Sequence, residues 1–202
     1  YRSGYRRTDP IRNSHICSGT DTGSNVWETV AGIKPEMVFI VTGEINSGKS
    51  TFMENLYNFN KEGGGIITKK KFCYGTFLGY DLYRLDNQTK AEFALYPQFI
   101  DDKWEEVCRF GPFSFSKKGL IFFDNCIQEL INREIQPVFI DEAGPAELEG
   151  KLFFMGIKKV LHSGLTLYIT VRSSCLEKMI SVLAIKDFQI LKIEKGGFYE
   201  IK

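Results

Sequence analysis

From Met37 onward, short apolar runs rich in Val, Ile and Phe alternate with longer stretches in which apolar residues recur at helical spacing. The runs at 37–42, 137–141, 165–171 and 188–193 have the length and composition of strands buried on both faces of a sheet. The stretches 49–58, 117–133, 146–162 and 173–184 are of helix length. In 117–133, Leu120, Phe123, Ile127, Leu130 and Ile131 fall on one helical stripe, the pattern of an amphipathic helix lying on a sheet. This alternation predicts a three-layer α/β sandwich of P-loop, RecA-like type, with a mostly parallel central sheet and right-handed crossovers. Two hairpins are expected at its periphery. One turns at Tyr74-Gly75 and joins 66–72 to 76–85; the other spans 192–201 and turns at Gly196-Gly197.

Ahead of this pattern the chain reads differently. Residues 1–35 contain no Phe, Leu or Met; they carry Arg2, Arg6, Arg7 and Arg12, then a Ser, Thr, Gly and Asn-rich stretch. Such a segment lacks the aliphatics to fold alone. The expected organisation is therefore an N-terminal arm over 1–35 and one domain over 36–202, with Trp27 and Val30 anchoring the arm's end. The arm reads as a tail or as a strap on the domain, and it offers a surface for a protein partner. Interleaved Arg and Tyr at 1–12 could also track a phosphate backbone.

Charge and composition narrow the classes. The 26 Lys+Arg and 25 Asp+Glu leave a net charge of +1, so no general field supports nucleic-acid binding. The longest apolar run, 37–41, is far short of the roughly 20 residues of a membrane span. Cys17, Cys73, Cys108, Cys126 and Cys175 are widely spaced, without a Cys-x-x-Cys pair, which fits a reducing, cytoplasmic setting. His15 and His162 are too far apart to suggest a metal cluster, and His162 reads as a helix C-terminal residue.

The chemistry concentrates at Gly43-Glu44-Ile45-Asn46-Ser47-Gly48-Lys49-Ser50, which satisfies G-x-x-x-x-G-K-[ST] between an expected strand and an expected helix. In that setting successive backbone N–H groups form an anion nest, and the helix dipole adds to it. Lys49 would reach the β- and γ-phosphates, Ser50 would ligate Mg²⁺, and Thr51 would bond the α-phosphate. Further along, the apolar 137–140 ends in Asp141-Glu142. A carboxylate at the end of a neighbouring strand can hold Mg²⁺, the role read for Asp141; Glu142 would accept a proton from attacking water. Arg172, after the strand at 165–171, could sense γ-phosphate or cap a helix, and Thr68 is a further candidate phosphate contact. Asp141-x-x-Gly144 matches a GTPase switch element, but no Asn-Lys-x-Asp follows, so guanine reading of that kind is unsupported.

These residues carry a resemblance. The P-loop, Gly64-Gly65-Ile66-Ile67-Thr68, Gly79-Tyr80, Arg109-Phe110-Gly111-Pro112-Phe113 and above all Asp141-Glu142-Ala143-Gly144-Pro145-Ala146-Glu147-Leu148 resemble the thermophilic-type nucleoside-triphosphatase family of P-loop proteins, in order, over about 38–193. The resemblance implies Mg²⁺-dependent hydrolysis of nucleoside triphosphates, ATP or GTP, with weak base selectivity in a RecA-like domain. It gives Lys49, Ser50, Asp141 and Glu142 the roles just argued. Where the family has an acidic residue and arginines, this chain has Lys69-Lys70-Lys71-Phe72 and Phe77, a run that reads first as a solvated hairpin face and second as a phosphate contact.

Two rival functions share these parts. A phosphotransferase acting on a small acceptor would use the same loop and metal, but Arg84, Arg109 and Arg133 are too separated to form a kinase-type arginine lid. A nucleotide-dependent switch with slow hydrolysis is favoured by the arm. Trp104 and Asp101-Asp102 read as a lid, an acceptor loop or a plain connection.

Overall fold

The computed structural model describes residues 37–194 and 197–201, the last five as backbone only. The arm, with His15, Cys17, Trp27 and Val30, lies outside the described residues, as does Gly196 of the C-terminal turn. The remainder is one ten-stranded sheet in the order β10-β9-β1-β8-β7-β2-β3-β4-β6-β5. Its strands are β1 (Val38–Gly43), β2 (Gly64–Cys73), β3 (Thr76–Arg84), β4 (Lys90–Leu95), β5 (Glu106–Phe110), β6 (Phe113–Ser116), β7 (Val138–Ala143), β8 (Leu167–Arg172), β9 (Phe188–Glu194) and β10 (Gly197–Ile201).

Strands β9, β1, β8, β7 and β2 run parallel to their neighbours. From β2 outward to β5, and between β9 and β10, pairing is antiparallel. The sheet is therefore mixed, which corrects the expectation of a mostly parallel one. Both expected hairpins form, but the first is not peripheral. Its strand β2 pairs with β7 on one side and β3 on the other, so the hairpin splices the antiparallel half onto the parallel half.

The helices are α1 (Lys49–Asn60), α2 (Lys117–Asn132), α3 (Pro145–Leu148), α4 (Phe154–Ser163) and α5 (Leu176–Leu183). Strand alternation sends Phe39, Phe139 and Tyr168 to the α1 face, where their rings stack at 4.5 and 5.2 Å and Tyr57 of α1 meets Phe139 edge-on at 6.0 Å. Val38, Ile40, Ile140 and Ile169 point the other way and join Phe123, Ile127, Leu130, Ile157 and Met179 of α2, α4 and α5. Helix α2 realises the amphipathic stripe, and the Ser116 hydroxyl caps it by accepting from the Gly119 N–H at 2.9 Å.

The helix expected over 146–162 is broken. Its cause is Glu147, a carboxyl only 3% exposed that accepts from the Gly144 N–H at 2.7 Å and from the Phe153 N–H at 3.5 Å. The chain wraps around this side chain, turning through Gly150 and Leu152 at positive φ before α4 begins. A helical apolar period cannot report such a break, because the residue that forces it is polar.

Close sheet packing depends on Gly65, which has φ 152° and stands opposite Phe139 in the β2–β7 ladder. A Cβ there would run into the Phe139 carbonyl oxygen, so backbone must move. Gly65→Ala should destabilise the domain by roughly 3 kcal/mol or more, read as a lowered urea midpoint with unchanged slope.

Candidate active site

Strand β1 ends at Gly43 and α1 begins at Lys49, so the loop between them stands at the carboxyl edge of the parallel strands. Gly48 precedes the helix at φ 99°, a conformation open to glycine, and Asn46 takes φ 61°, which Asn tolerates. The Lys49 ammonium donates to the carbonyl oxygens of Gly43 at 3.0 Å and Glu44 at 2.8 Å, folded back onto its own loop. Partial burial pulls its pKa below the usual lysine range, opposed by Asp141 and Glu142.

Opposite the loop, β7 carries a bulge. Ile140 pairs with Ile169 and Ala143 with Val171, so β7 contains one residue more than β8 over this interval, and Glu142 sits at φ 69°. One hydroxyl organises the irregularity: Thr170 Oγ1 accepts from the Glu142 N–H at 2.6 Å and donates to Asp141 Oδ1 at 2.7 Å. The second Asp141 oxygen accepts from the Thr68 N–H at 3.1 Å. Asp141, 1% exposed, is thus held by both flanking strands.

Lys49, Ser50, Thr68, Asp141, Glu142 and Arg172 all line one cavity of about 340 Å³, together with loop residues 45–48 and Thr51. The remaining loop positions, Gly43 and Glu44, hold Lys49, and the Glu44 carboxylate accepts from the Ser173 hydroxyl at 2.6 Å. Burial pushes the Asp141 carboxyl up, opposed by hydrogen bonds from Ser50, Thr170 and Thr68. Burial and then the Asp141 charge push Glu142 up, opposed by Arg172, Lys49 and Lys70.

The three lysines of the run, with Lys70 exposed, take different partners. Lys69 pairs with Glu54 at 2.7 Å, and Lys71 pairs with Glu92 and Asp81. Lys70 instead reaches the P-loop, donating to Asn46 Oδ1 at 3.1 Å, and lines the cavity. Tyr80 and Thr170 also line it without having been singled out as site residues. The only sequence signal for Thr170 is a hydroxyl inside an otherwise apolar strand. Trp104 is absent from this cavity; its indole N–H donates to Ser114 Oγ at 2.8 Å and pins 101–104 against β6. Arg84, Arg109 and Arg133 are each paired with acidic neighbours away from the cavity. His162 ends α4 as expected, its Nδ1 lying 2.6 Å from the Lys158 carbonyl oxygen.

A cation can be tested against this donor set. Among the described residues no group of three or more His, Cys, Asp or Glu could hold a metal ion alone. The cavity offers instead the Ser50 hydroxyl and two crowded carboxylates, hard oxygen donors that suit Mg²⁺ when phosphate oxygens complete its shell. The residues fit that ion.

The family model described as NTPase matches residues 38–197. The chain belongs to this nucleoside-triphosphatase family. The fold is similar to the solution structure of a human cancer-related nucleoside triphosphatase, with TM-score 0.58 and 18% identity over 79% of this chain and 90% of that one. It is similar also to the crystal structure of THEP1 from the hyperthermophile Aquifex aeolicus, with TM-score 0.58 and 17% identity over 78% and 90%. No curated protein matches. The NTPase match spans both halves of the sheet, from β1 to the start of β10, so the antiparallel extension is part of the family's domain.

Glu147 generates a pH-dependent stability. Burial raises its carboxyl to about 7 from an ordinary 4.5, against the N–H groups of Gly144, Glu147 itself and Phe153 and aided by the Glu142 charge. The native state therefore keeps a proton that the unfolded chain releases. The stability tied to that proton is complete below pH 4.5 and is lost as pH rises through 7, on the order of 3 kcal/mol. Urea midpoints should fall between about pH 5 and about pH 8, and Glu147→Gln, which keeps the acceptor oxygen, should flatten that fall. An equal slope in both proteins would refute the assignment.

Proposed function

We propose that the chain hydrolyses nucleoside triphosphates to diphosphate and phosphate, with Mg²⁺ and weak base selectivity. The observation that carries this reading is the β7 bulge, which brings Asp141 and Glu142 into one cavity with the P-loop. Hydrolysis needs an anion nest, a cation partner and a base near the γ-phosphate, and these are the groups gathered here.

In this reading the loop N–H groups from 44–51 cradle the phosphates. Lys49 exchanges its two carbonyl partners for β- and γ-phosphate oxygens; Thr51 bonds the α-phosphate. Ser50 and Asp141 are the residues that would hold Mg²⁺, which supplies positive charge to the phosphates when bound. Glu142 takes the proton of the attacking water, and the raised affinity of its carboxyl for a proton suits that task. Arg172 and Lys70, both cationic and both on the cavity wall, face the charge that develops at the γ-phosphate, with Thr68 beside them. ATP and GTP are both substrates in this reading, and the sequence carries no Asn-Lys-x-Asp guanine reader.

The proposed division at residue 35 makes the arm separate from this chemistry and free to engage a protein partner. The free thiols of Cys73, Cys108, Cys126 and Cys175 fit a cytoplasmic setting, and no helix among the described residues is long and apolar enough to cross a membrane.

Two measurements test the roles. Lys49→Ala should weaken Mg²⁺-nucleotide binding at least tenfold, about 1.4 kcal/mol, because several phosphate charges then face a nest that is only partly positive. Calorimetry giving wild-type affinity would remove the site from this cavity. Glu142→Gln should leave nucleotide affinity nearly intact while phosphate release from ATP or GTP falls by about 10² to 10⁴. Asp141→Asn should impair both binding and turnover. Mild, equal losses in the two variants would make hydrolysis incidental.

A further inference from the structure

A second cavity, of about 200 Å³, adjoins the phosphate cavity and shares Thr68, Tyr80, Glu142 and Arg172 with it. Its remaining wall differs in kind. Phe93, Phe115 and Phe153 form a buried aromatic floor, with Phe93 stacked on Phe153 at 4.9 Å and tilted against Phe115 at 5.1 Å. Phe110 and Phe113 flank it from the tight β5–β6 turn, where Gly111 and Pro112 close the rim. Water needs no such wall. A site serving hydrolysis alone requires space for one water beside Glu142, whereas a ring-lined recess opening onto the same carboxylate suits an organic molecule with an apolar body and a polar end.

We propose that this recess is an acceptor subsite, taking a small aromatic alcohol whose ring packs on Phe93, Phe115 and Phe153 and whose hydroxyl lies between Glu142 and the γ-phosphate. The inference rests on the triphosphate reading of the neighbouring cavity. The size, below the roughly 300 Å³ at which ordinary ligand pockets begin, limits the acceptor to about one ring with a short arm. In the transfer, the acceptor oxygen forms a bond to the γ-phosphorus and its proton passes to the Glu142 carboxylate. The bond from that phosphorus to the β–γ bridging oxygen breaks, and its electron pair leaves with the nucleoside diphosphate. The product is a phosphate monoester. Glu142 thus serves whichever oxygen occupies the junction, and occupancy of the recess decides between water and alcohol.

The test supplies γ-labelled ATP and Mg²⁺ with millimolar 2-phenylethanol or 4-hydroxyphenylethanol, and with glycerol as an alcohol lacking an apolar body. Released phosphate and labelled ester are measured in the same reaction. An aromatic monoester formed at least tenfold faster than glycerol phosphate is the expected result. Leu152→Trp, at the recess wall and outside the phosphate cavity, should cut ester formation at least tenfold while phosphate release stays within about twofold. If Leu152→Trp loses both, Phe110→Ala decides: its ratio of ester to phosphate must differ from wild type. Phosphate release without any ester overturns the acceptor subsite and leaves the hydrolase reading intact. Ester formation equal for glycerol, or unmoved by both variants, also overturns it. Absence of both products refutes the triphosphate reading and this inference together.

Discussion

Everything that gives this sheet a site depends on the buried carboxylate of Asp141. It lies on β7 between β8 and β2, takes a hydroxyl from one neighbour and an N–H from the other, and does so where the regular ladders end. The β2–β7 register runs from Gly64 to Ile66 only. Beyond Ile140 the Thr68 N–H bonds to the Asp141 side chain, and the strands diverge around the carboxylate. Parallel sheets commonly bind ligands in a crevice outside their carboxyl edge. Here the crevice is opened by an acid substituting for backbone, and the bulge that adds Glu142 is stabilised by the same Thr170 hydroxyl.

That arrangement is electrostatically unfinished. Two neighbouring carboxyls, both pushed up by burial, face Lys49, Lys70 and Arg172 across a cavity that withdraws them partly from water. Lys49 spends its hydrogen bonds on carbonyl oxygens of its own loop, neutral partners that a triphosphate would outbid as charged acceptors. In the function proposed above, a cation would let both carboxylates ionise, and the phosphates would satisfy the three cationic side chains.

Much of this was legible in sequence because it is local. The P-loop is a contiguous motif whose glycines and Lys49 declare their geometry, and β1, β7 and β8 announce themselves as apolar runs because both faces are covered. The losses have physical causes. Strands β4, β5 and β6 are only four to six residues long, so no period develops before a turn intervenes. The break after α3 depends on Glu147 being inside, and a glutamate in a helical stretch normally points outward. Lys69, Lys70 and Lys71 are identical in type, and only the positions of Glu54, Asn46, Glu92 and Asp81 in space bring one of them to the P-loop. The mixed character of the sheet was hidden for a similar reason: β2 reads as a hairpin strand, and nothing local states that its other edge pairs with β7.

The two halves of the sheet divide the work accordingly. The parallel half carries the groups to which the proposed function gives the phosphate chemistry, with the P-loop after β1, the acids on β7 and Arg172 at the end of β8. The antiparallel half supplies rings: Tyr80 on β3, Phe93 on β4, Phe113 and Phe115 on β6, several in edge contact with one another. Splicing the halves at β2 puts Thr68 at the seam, its N–H committed to Asp141 and its own hydroxyl buried without a protein partner in the described structure. An unpaired buried hydroxyl costs free energy unless something bound to the site satisfies it. Thr68 lines both cavities, so a group entering either one, a phosphate oxygen or an acceptor hydroxyl, can supply the missing bond. The seam between the halves is therefore the place where the two cavities, and the two proposed roles, adjoin.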